Sequence, residues 1–292
     1  MISVEQQIEN GQLVCPISYQ HLVKQDDTLR TSDGRFVYLY KSGVPIMLDQ
    51  DRQRDYLDQL DGAMEQQYIQ IAHQSIFARF LNRLLYWGGD YRSSQANQAF
   101  DETIVQRSAD ELCLSVGGGP LRVHPNLVNV NIGLFDNVDV VGDAYRLPYA
   151  SGVVDAVYCE AVLEHLEYPN EAVAEMYRVL RPEGQLFAVT PFLQRFHGYP
   201  NHYQNFTLVG HQRLFARAGF SIRSAGVCVG PTYALLDLLS TYARYAPTRF
   251  LSQALYGGLR LASVAIRPLD RWLNNHPDAH KLASTTYVHA VK

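Results

Sequence analysis

Residues 111–120 read Glu-Leu-Cys-Leu-Ser-Val-Gly-Gly-Gly-Pro, an apolar run that ends in three glycines. A short run of this kind, without polar alternation, predicts a strand buried on both faces, as in a parallel sheet. Three glycines directly after the strand allow a sharp turn and a close approach of the backbone to a ligand. Ligands bind outside the carboxyl ends of the strands in open α/β sheets. The sequence therefore predicts such a sheet, with a binding cleft at Gly117, Gly118 and Gly119.

The segments that follow alternate between predicted strands and helices. The predicted strands are 127–132, 138–143, 153–159, 185–190, 220–229 and 284–291, and the predicted helical segments are 170–180, 208–218 and 232–275. Only short loops separate the first three strands of the sheet, whereas parallel strands normally need crossovers of about a dozen residues or more. We therefore expect the first two crossover helices to be reduced to single turns, or the third strand to be short and irregular. Amino-terminal elements would then cover this half of the sheet.

Upstream of the glycines, apolar residues recur at helical spacing over 62–87, up to Gly88 and Gly89. This periodicity predicts an amphipathic helix that packs on the sheet. An aromatic loop at 86–91 and a weaker helical stretch at 94–107 follow it.

The amino-acid composition limits the classes of protein to which the chain can belong. The chain has 292 residues, of which 47% are hydrophobic and 18% are charged, so a packed globular core is expected. A formal net charge of −4 argues against a dedicated nucleic-acid binder. The amino terminus lacks a basic segment followed by an apolar one, and no run of about eighteen apolar residues occurs, so neither a secretory signal nor a membrane span is predicted. Four scattered cysteines favour buried free thiols and a cytoplasmic protein.

Several motifs recur in a characteristic order. Gly-Gly-Gly after the first strand is followed by Val-Gly-Asp-Ala at 141–144, Val-Asp-Ala-Val-Tyr-Cys-Glu at 154–160 and Arg-Val-Leu-Arg-Pro-Glu-Gly at 178–184. Over residues 108–230 the chain resembles class I S-adenosylmethionine-dependent methyltransferases, in particular the branch with a shortened first helix. The resemblance implies a Rossmann-like α/β fold, in which the sheet is mostly parallel and the last strand is antiparallel. It also implies S-adenosyl-L-methionine as the cofactor.

The same resemblance assigns cofactor-binding residues. Gly117 and Gly119, with Gly118 between them, match the family's G-x-G, where the backbone approaches the methionine and the sugar. Asn131 stands where the family usually has an acid that binds the ribose hydroxyls. An amide can still accept one hydrogen bond there, but a weaker one. Ser115 likewise replaces a usual acid.

Further along the chain, Asp143 matches the acid that accepts from the adenine amino group, with the Ala144 amide beside it. A turn-forming role after Gly142 is the alternative for Asp143. Glu160 ends the fourth strand of the family's sheet and would face the reactive end of the cofactor. Tyr91, in the segment before the first strand, is a further candidate contact.

The acceptor pocket is expected at the loop 191–207. His197, His202 and Tyr203 carry groups able to bind or deprotonate an acceptor. His165 either takes part in catalysis or has a structural role at the local turn. As a metal pair His197 and His202 have no third ligand indicated nearby, so no metal site is predicted.

The first 60 residues form a separate unit in this interpretation. Cys15-Pro16-Ile17-Ser18 and the ending Gly-Val-Pro-Ile-Met-Leu at 43–48 resemble the zinc-ribbon-like segment at the front of some methyltransferases. One cysteine of the first pair is kept and the second pair is missing, so the module is expected to be metal-free. The predicted domains are thus 1–60, a small β module, and 61–292, a methyltransferase domain with a helical insertion at 232–275.

The predicted function is transfer of a methyl group from S-adenosylmethionine to oxygen or nitrogen of a small-molecule or sugar acceptor. A catalytically inactive methyltransferase-fold scaffold is the alternative, motivated by Ser115 and Asn131. RNA modification guided by the amino-terminal module is disfavoured by the charge and the missing cysteines. For the insertion 232–275 we consider extra core, a lid over the acceptor, a homodimer surface or a peripheral membrane contact.

Overall fold

The computed structural model describes residues 1–49, 92–198 and 201–292. Two predicted segments lie outside the described residues: the helix at 62–87 and the aromatic loop at 86–91, which includes Tyr91. The described chain resumes at Arg92.

Within the described residues, eleven strands join into one sheet, in the order β1-β2-β3-β4-β7-β6-β5-β8-β9-β11-β10. Pairing is parallel from β4 through β7, β6, β5 and β8 to β9, and antiparallel at both ends of the sheet. The strands are Leu22–Gln25 (β1), Thr28–Thr31 (β2), Val37–Lys41 (β3), Val44–Ile46 (β4), Cys113–Val116 (β5), Leu127–Asn131 (β6), Val140–Val141 (β7), Val154–Glu160 (β8), Leu180–Pro191 (β9), Ser221–Val229 (β10) and Thr285–Val291 (β11). The predicted fold class, including the antiparallel last strand, is confirmed.

Helices pack against this sheet, and those of the insertion also pack against one another. They are Val4–Glu9 (α1), Ser94–Phe100 (α2), Pro169–Val179 (α3), Leu208–Arg217 (α4), Pro231–Tyr242 (α5), Arg249–Ile266 (α6) and Asp270–Leu273 (α7). A π-helical turn, Asp101–Val105, continues α2, and a 3-10 turn, Leu163–His165, follows β8. Buried apolar residues of α3 and α4, such as Met176 and Phe215, contribute to the main core.

The first crossovers carry no helix, as the short loops predicted. The loops 117–126 and 132–139 are irregular, and β7 is only two residues long. Strand β4 pairs with β7 through Ile46 and Val141 and extends the sheet at this thin edge. These two residues form a small core together with Leu48 and Val138.

The strands of the predicted module 1–60 are therefore continuous with the central sheet. The Cys15 thiol lies 3.1 Å from the Tyr38 hydroxyl and accepts a hydrogen bond from the Ser18 amide, so it serves as a buried polar contact. All four cysteines are buried and none forms a disulfide, which confirms that part of the prediction.

The insertion 232–275 is helical, as predicted. Asp270, which is 2% exposed, accepts hydrogen bonds from the amides of Thr232 and Tyr233 and so caps the start of α5. The outer surface of the insertion carries exposed apolar side chains, including Phe250 and Trp272. Within the described part of the chain, no helix is both long and apolar enough to span a bilayer.

Candidate functional site

A cavity of about 440 Å³ lies at the carboxyl ends of the parallel strands. Ordinary small-molecule sites have volumes of about 300–1,000 Å³. The residues that line it come from the last residues of β5 and β6 and from the segments that follow β5, β6, β7, β8 and β9. They are Val116, Gly117, Gly119, Val130, Asn131, Ile132, Gly133, Phe135, Gly142, Asp143, Ala144, Tyr145, Ala161, Val162, His165, Leu166 and His197. Most of the predicted cofactor residues therefore meet in one cleft.

Two of the three glycines shape the wall of this cleft. Gly117 has a φ of 73°, and a Cβ added there would lie 2.4 Å from a methyl group of Val162. Gly119 has a φ of 60°, but a Cβ there would meet nothing within 4 Å. Gly118 does not line the cleft: a Cβ on it would lie 2.6 Å or less from the side-chain oxygens of Ser115 and Asn129. The backbone thus approaches the cavity at Gly117 and Gly119, and the role predicted for Gly118 becomes one of packing against β5 and β6.

Asn131, at the end of β6, forms side-chain hydrogen bonds to two loops. Its Oδ1 accepts a hydrogen bond from the Gly119 amide at 3.3 Å, and its Nδ2 donates to the Gly133 carbonyl at 2.8 Å. A carboxylate at this position could accept from the Gly119 amide but could not donate to Gly133, because it has no proton to give. The amide therefore holds the glycine loop and the loop after β6 in one arrangement.

Asp143 follows β7 and also lines the cleft. Its Oδ1 accepts a hydrogen bond from the Tyr145 amide at 2.9 Å, and its carbonyl accepts from the Arg146 amide at 3.0 Å. The side chain therefore forms the turn that the sequence suggested as an alternative. Its position on the cleft wall beside Ala144 is compatible with the first interpretation as well.

Glu160 is placed differently from the prediction. Nη2 of Arg92 lies 2.6 Å from both Glu160 carboxylate oxygens, and the Tyr158 hydroxyl also donates to Glu160. Glu160 is absent from the residues that line the cleft, whereas the next residue, Ala161, has a φ of 55° and lines it. The chain turns sharply at Ala161, so the Glu160 carboxylate faces Arg92 and not the expected reactive end of a cofactor.

A carboxylate and two imidazoles converge at one end of the cleft. Oε1 of Glu164 lies 3.8 Å from Nε2 of His165 and 3.7 Å from Nε2 of His197. The Glu164 side chain is fully buried, whereas the two imidazoles are partly exposed toward the cleft. The neighbouring Glu164 carboxylate raises the pKa of His197 by favouring its protonated form. This cluster was missed in the sequence, although the adjacent pair Glu164-His165 directly after a buried strand was a visible hint.

His202 and Tyr203 contact the backbone of this cluster. Nε2 of His202 lies 2.6 Å from the Asn205 side-chain oxygen, and its Nδ1 accepts from the His197 amide at 3.2 Å. Both ring nitrogens are thus engaged. The Tyr203 side chain is 49% exposed, and its amide donates to the Glu164 carbonyl. Neither residue lines the cleft, so of the predicted catalytic residues the structure brings His165 and His197 to it.

Comparison with known proteins gives a match that includes part of the residues lining this cleft. Residues 123–188 match the family described as "Methyltransferase domain". Two uncharacterised chloroplastic methyltransferases of Arabidopsis thaliana are 50% identical over 54 residues and 46% identical over 68 residues. These alignments cover 18% and 22% of this chain, and the chain spans 15% and 19% of the length of those relatives. The family match and the order of the sheet confirm the resemblance to class I S-adenosylmethionine-dependent methyltransferases.

Solved structures resemble the chain more distantly. Phosphoethanolamine N-methyltransferase 2 of Haemonchus contortus, solved in complex with S-adenosyl-L-methionine, superposes with a TM-score of 0.43 at 13% identity, covering 80% of this chain and 60% of that one. The [4+2]-cyclase SpnF superposes with a TM-score of 0.42 at 17% identity, covering 68% and 79%.

Proposed function

We propose that this chain is a methyltransferase that binds S-adenosyl-L-methionine in the cleft at the carboxyl ends of β5 to β8. The observation that carries the proposal is the convergence of Gly117, Gly119, Asn131 and Asp143 on one cavity of about 440 Å³. The glycines leave room where a side chain would intrude or clash, which suits a ligand lying against the backbone.

The lining residues fit the cofactor's parts. Val130, Phe135 and Leu166 offer an apolar surface for a nucleoside base, and Asp143 with the Ala144 amide offers polar groups at its edge. Asn131 fixes the Gly119 loop, because its two side-chain hydrogen bonds hold that loop to Gly133. When bound, S-adenosylmethionine supplies an activated methyl group for an oxygen or nitrogen of the acceptor, leaving S-adenosylhomocysteine.

His165 and His197 mark the acceptor end of the cleft in this proposal. Both line the cavity beside Ala161 and Val162, which follow β8, whereas Asp143 lies after β7. His202 positions His197 by accepting from its backbone amide. The chain's part in catalysis is then to align the acceptor and exclude water. The acceptor class we propose is a small molecule or a saccharide, because the cavity of about 440 Å³ has the size of ordinary small-molecule sites. The cytoplasmic location stays a prediction.

Release of S-adenosylhomocysteine tests this function without knowledge of the acceptor. The purified protein is incubated with S-adenosylmethionine and fractionated small-molecule extracts, and the product is measured by mass spectrometry. We expect acceptor-dependent release that is lost in Asp143→Ala, while the exposed Asp136→Ala variant behaves as the wild type. Cofactor binding without release by any fraction would favour the inactive scaffold.

A further inference from the structure

The inner end of the cleft gathers three groups that all bear lone pairs. One carboxylate oxygen of Glu164 and one ring nitrogen each of His165 and His197 lie within 4.8 Å of one another. Among the residues that the structure describes, neither oxygen of the Glu164 carboxylate has a hydrogen-bond partner, although both are inaccessible to solvent. A buried carboxylate without partners is costly, by several kcal/mol on the scale of measured buried charges. A cation beside Glu164, either an imidazolium or a bound metal ion, would compensate this charge.

The ring orientations turn Nε2 of each imidazole toward Glu164. Nδ1 of His165 lies 2.6 Å from the Asn201 carbonyl oxygen, and Nδ1 of His197 lies 2.9 Å from the Arg195 carbonyl oxygen. A carbonyl can only accept, so each Nδ1 carries a proton, and Nε2 of each ring is the nitrogen that faces Glu164 and would bind an ion in its unprotonated form. A backbone carbonyl behind Nδ1 is the arrangement that usually orients a histidine ligand toward a metal ion.

The backbone holds these groups in place from two sides. Glu164 and His165 lie on the 3-10 turn after β8, and the Tyr203 amide donates to the Glu164 carbonyl. The rings of His165 and His197 stand perpendicular, with centroids 5.3 Å apart. Bonds of about 2.0–2.2 Å require ligand atoms roughly 3.0–3.5 Å apart. Small side-chain rotations would therefore close the observed separations of 3.7 and 3.8 Å onto a common ion.

We infer that Glu164, His165 and His197 form a binding site for a divalent transition-metal ion of the zinc or iron(II) type. Two imidazoles with one carboxylate suit such ions, whereas magnesium and calcium prefer oxygen ligands alone. Three protein ligands leave a coordination position open. That position would face the cleft, where an oxygen or nitrogen of an acceptor could occupy it. The site stands on these three residues whether or not the cavity holds S-adenosylmethionine.

Metal stoichiometry tests the inference directly. Tag-free protein is stripped with a chelator, dialysed against zinc and analysed by inductively coupled plasma mass spectrometry, and a cobalt-loaded sample is examined by absorption spectroscopy. We expect one ion per chain, visible-region bands typical of cobalt bound by nitrogen and oxygen, and a higher melting temperature with zinc. Glu164→Gln should weaken zinc binding by about 100-fold or more, since loss of merely supporting groups already costs about 10–100-fold. The exposed His276→Ala variant is the matched control and should bind as the wild type does.

Absence of metal in the wild type would overturn the inference, whatever the variants do. Less than a tenth of an ion per chain, with no melting shift, would mean that a proton shared between Glu164 and an imidazole neutralises the cluster. Zinc binding equal in wild type and Glu164→Gln would overturn it as well. Calorimetry with S-adenosylmethionine on the same samples separates this failure from failure of the proposed function, because cofactor binding is measured independently of the metal.

Discussion

Nη2 of Arg92 lies 2.6 Å from both carboxylate oxygens of Glu160, so the acid that ends β8 is held in an ion pair outside the cofactor cleft. Both side chains are little more than a quarter exposed. The pair also joins β8 to the segment that pairs with β10 through the Arg92–Val229 bridge. Glu160 therefore serves the connection between these elements.

A double-mutant cycle measures that connection. We expect Arg92→Ala and Glu160→Ala to couple by about 1–2 kcal/mol in urea unfolding, because a partly buried, two-oxygen contact exceeds a surface pair. The exposed pair Lys24–Glu5 is the control and should couple by less than about 0.5 kcal/mol. Glu160→Gln should leave S-adenosylmethionine affinity nearly unchanged. A tenfold loss of that affinity with intact stability would show that Glu160 contributes to cofactor binding, contrary to this account.

Gly117 and Gly119 form a matched pair for substitution. Both have positive φ, but only at Gly117 would a Cβ collide, with Val162. We expect Gly119→Ala to lower the free energy of unfolding by about 1 kcal/mol and Gly117→Ala by about 2–4 kcal/mol, since the clash adds to the backbone strain. Urea titration of both variants provides the measurement. Equal losses would contradict the packing described around Gly117.

His211 predicts a pH dependence of stability. Complete burial lowers its pKa from 6.5 to about 3, and its Nδ1 lies 3.0 Å from the Thr286 hydroxyl. The unfolded chain therefore binds more protons than the native one between about pH 3 and 6.5. The contribution of the neutral ring to the free energy of unfolding is therefore complete above pH 6.5 and is lost as the pH falls below 6.5.

Comparison with His211→Gln isolates this contribution. Between pH 7.5 and 5.5 the wild type should lose about 1.4 kcal/mol more than the variant, which cannot titrate in this range. Urea unfolding at the two pH values gives both numbers. Parallel losses in the two proteins would show that His211 is not buried as a neutral ring.

Asp270 is expected to stabilise the insertion locally. Its two oxygens accept from the amides of Thr232 and Tyr233, in the first turn of α5. Asp270→Ala should cost about 1–2 kcal/mol, because it removes a cap and a charge at the positive end of the helix dipole. Hydrogen exchange should show the loss first in α5. The exposed Asp278→Ala serves as control, and equal exchange in both variants would argue against the cap.

The parts of the fold that depend on local pattern could be predicted from the sequence. The buried run before Gly117, the short loops after it and the period of α3 and α4 each indicate their own structure. The continuity of β4 with β7 could not, because Ile46 and Val141 are distant in sequence and the pairing has no local pattern. The same holds for Arg92 and Glu160.

The residues of the candidate site, too, could be predicted from the sequence only in part. Gly117 could be predicted because it directly follows a buried strand, whereas Asn131 and Asp143 are assigned through the resemblance to the methyltransferase family. All three lie at or just after the carboxyl end of a strand of one parallel sheet. The cluster of Glu164 with His197 requires the loop after β9 to fold back onto the 3-10 turn. The loop is held in this position by contacts such as the hydrogen bond from the Tyr203 amide to the Glu164 carbonyl. The spacing of residues in the sequence does not reveal such a contact.

Calorimetric titration with S-adenosylmethionine and S-adenosylhomocysteine tests the central claim most directly. The arrangement of Gly117, Gly119, Asn131 and Asp143 around one cavity predicts binding of one molecule per chain. We expect Asp143→Ala to weaken this affinity by about tenfold or more, as for loss of a charge-assisted hydrogen bond, and Asp136→Ala to leave it unchanged. Absence of binding heat and of any thermal shift in the folded wild type would contradict the account.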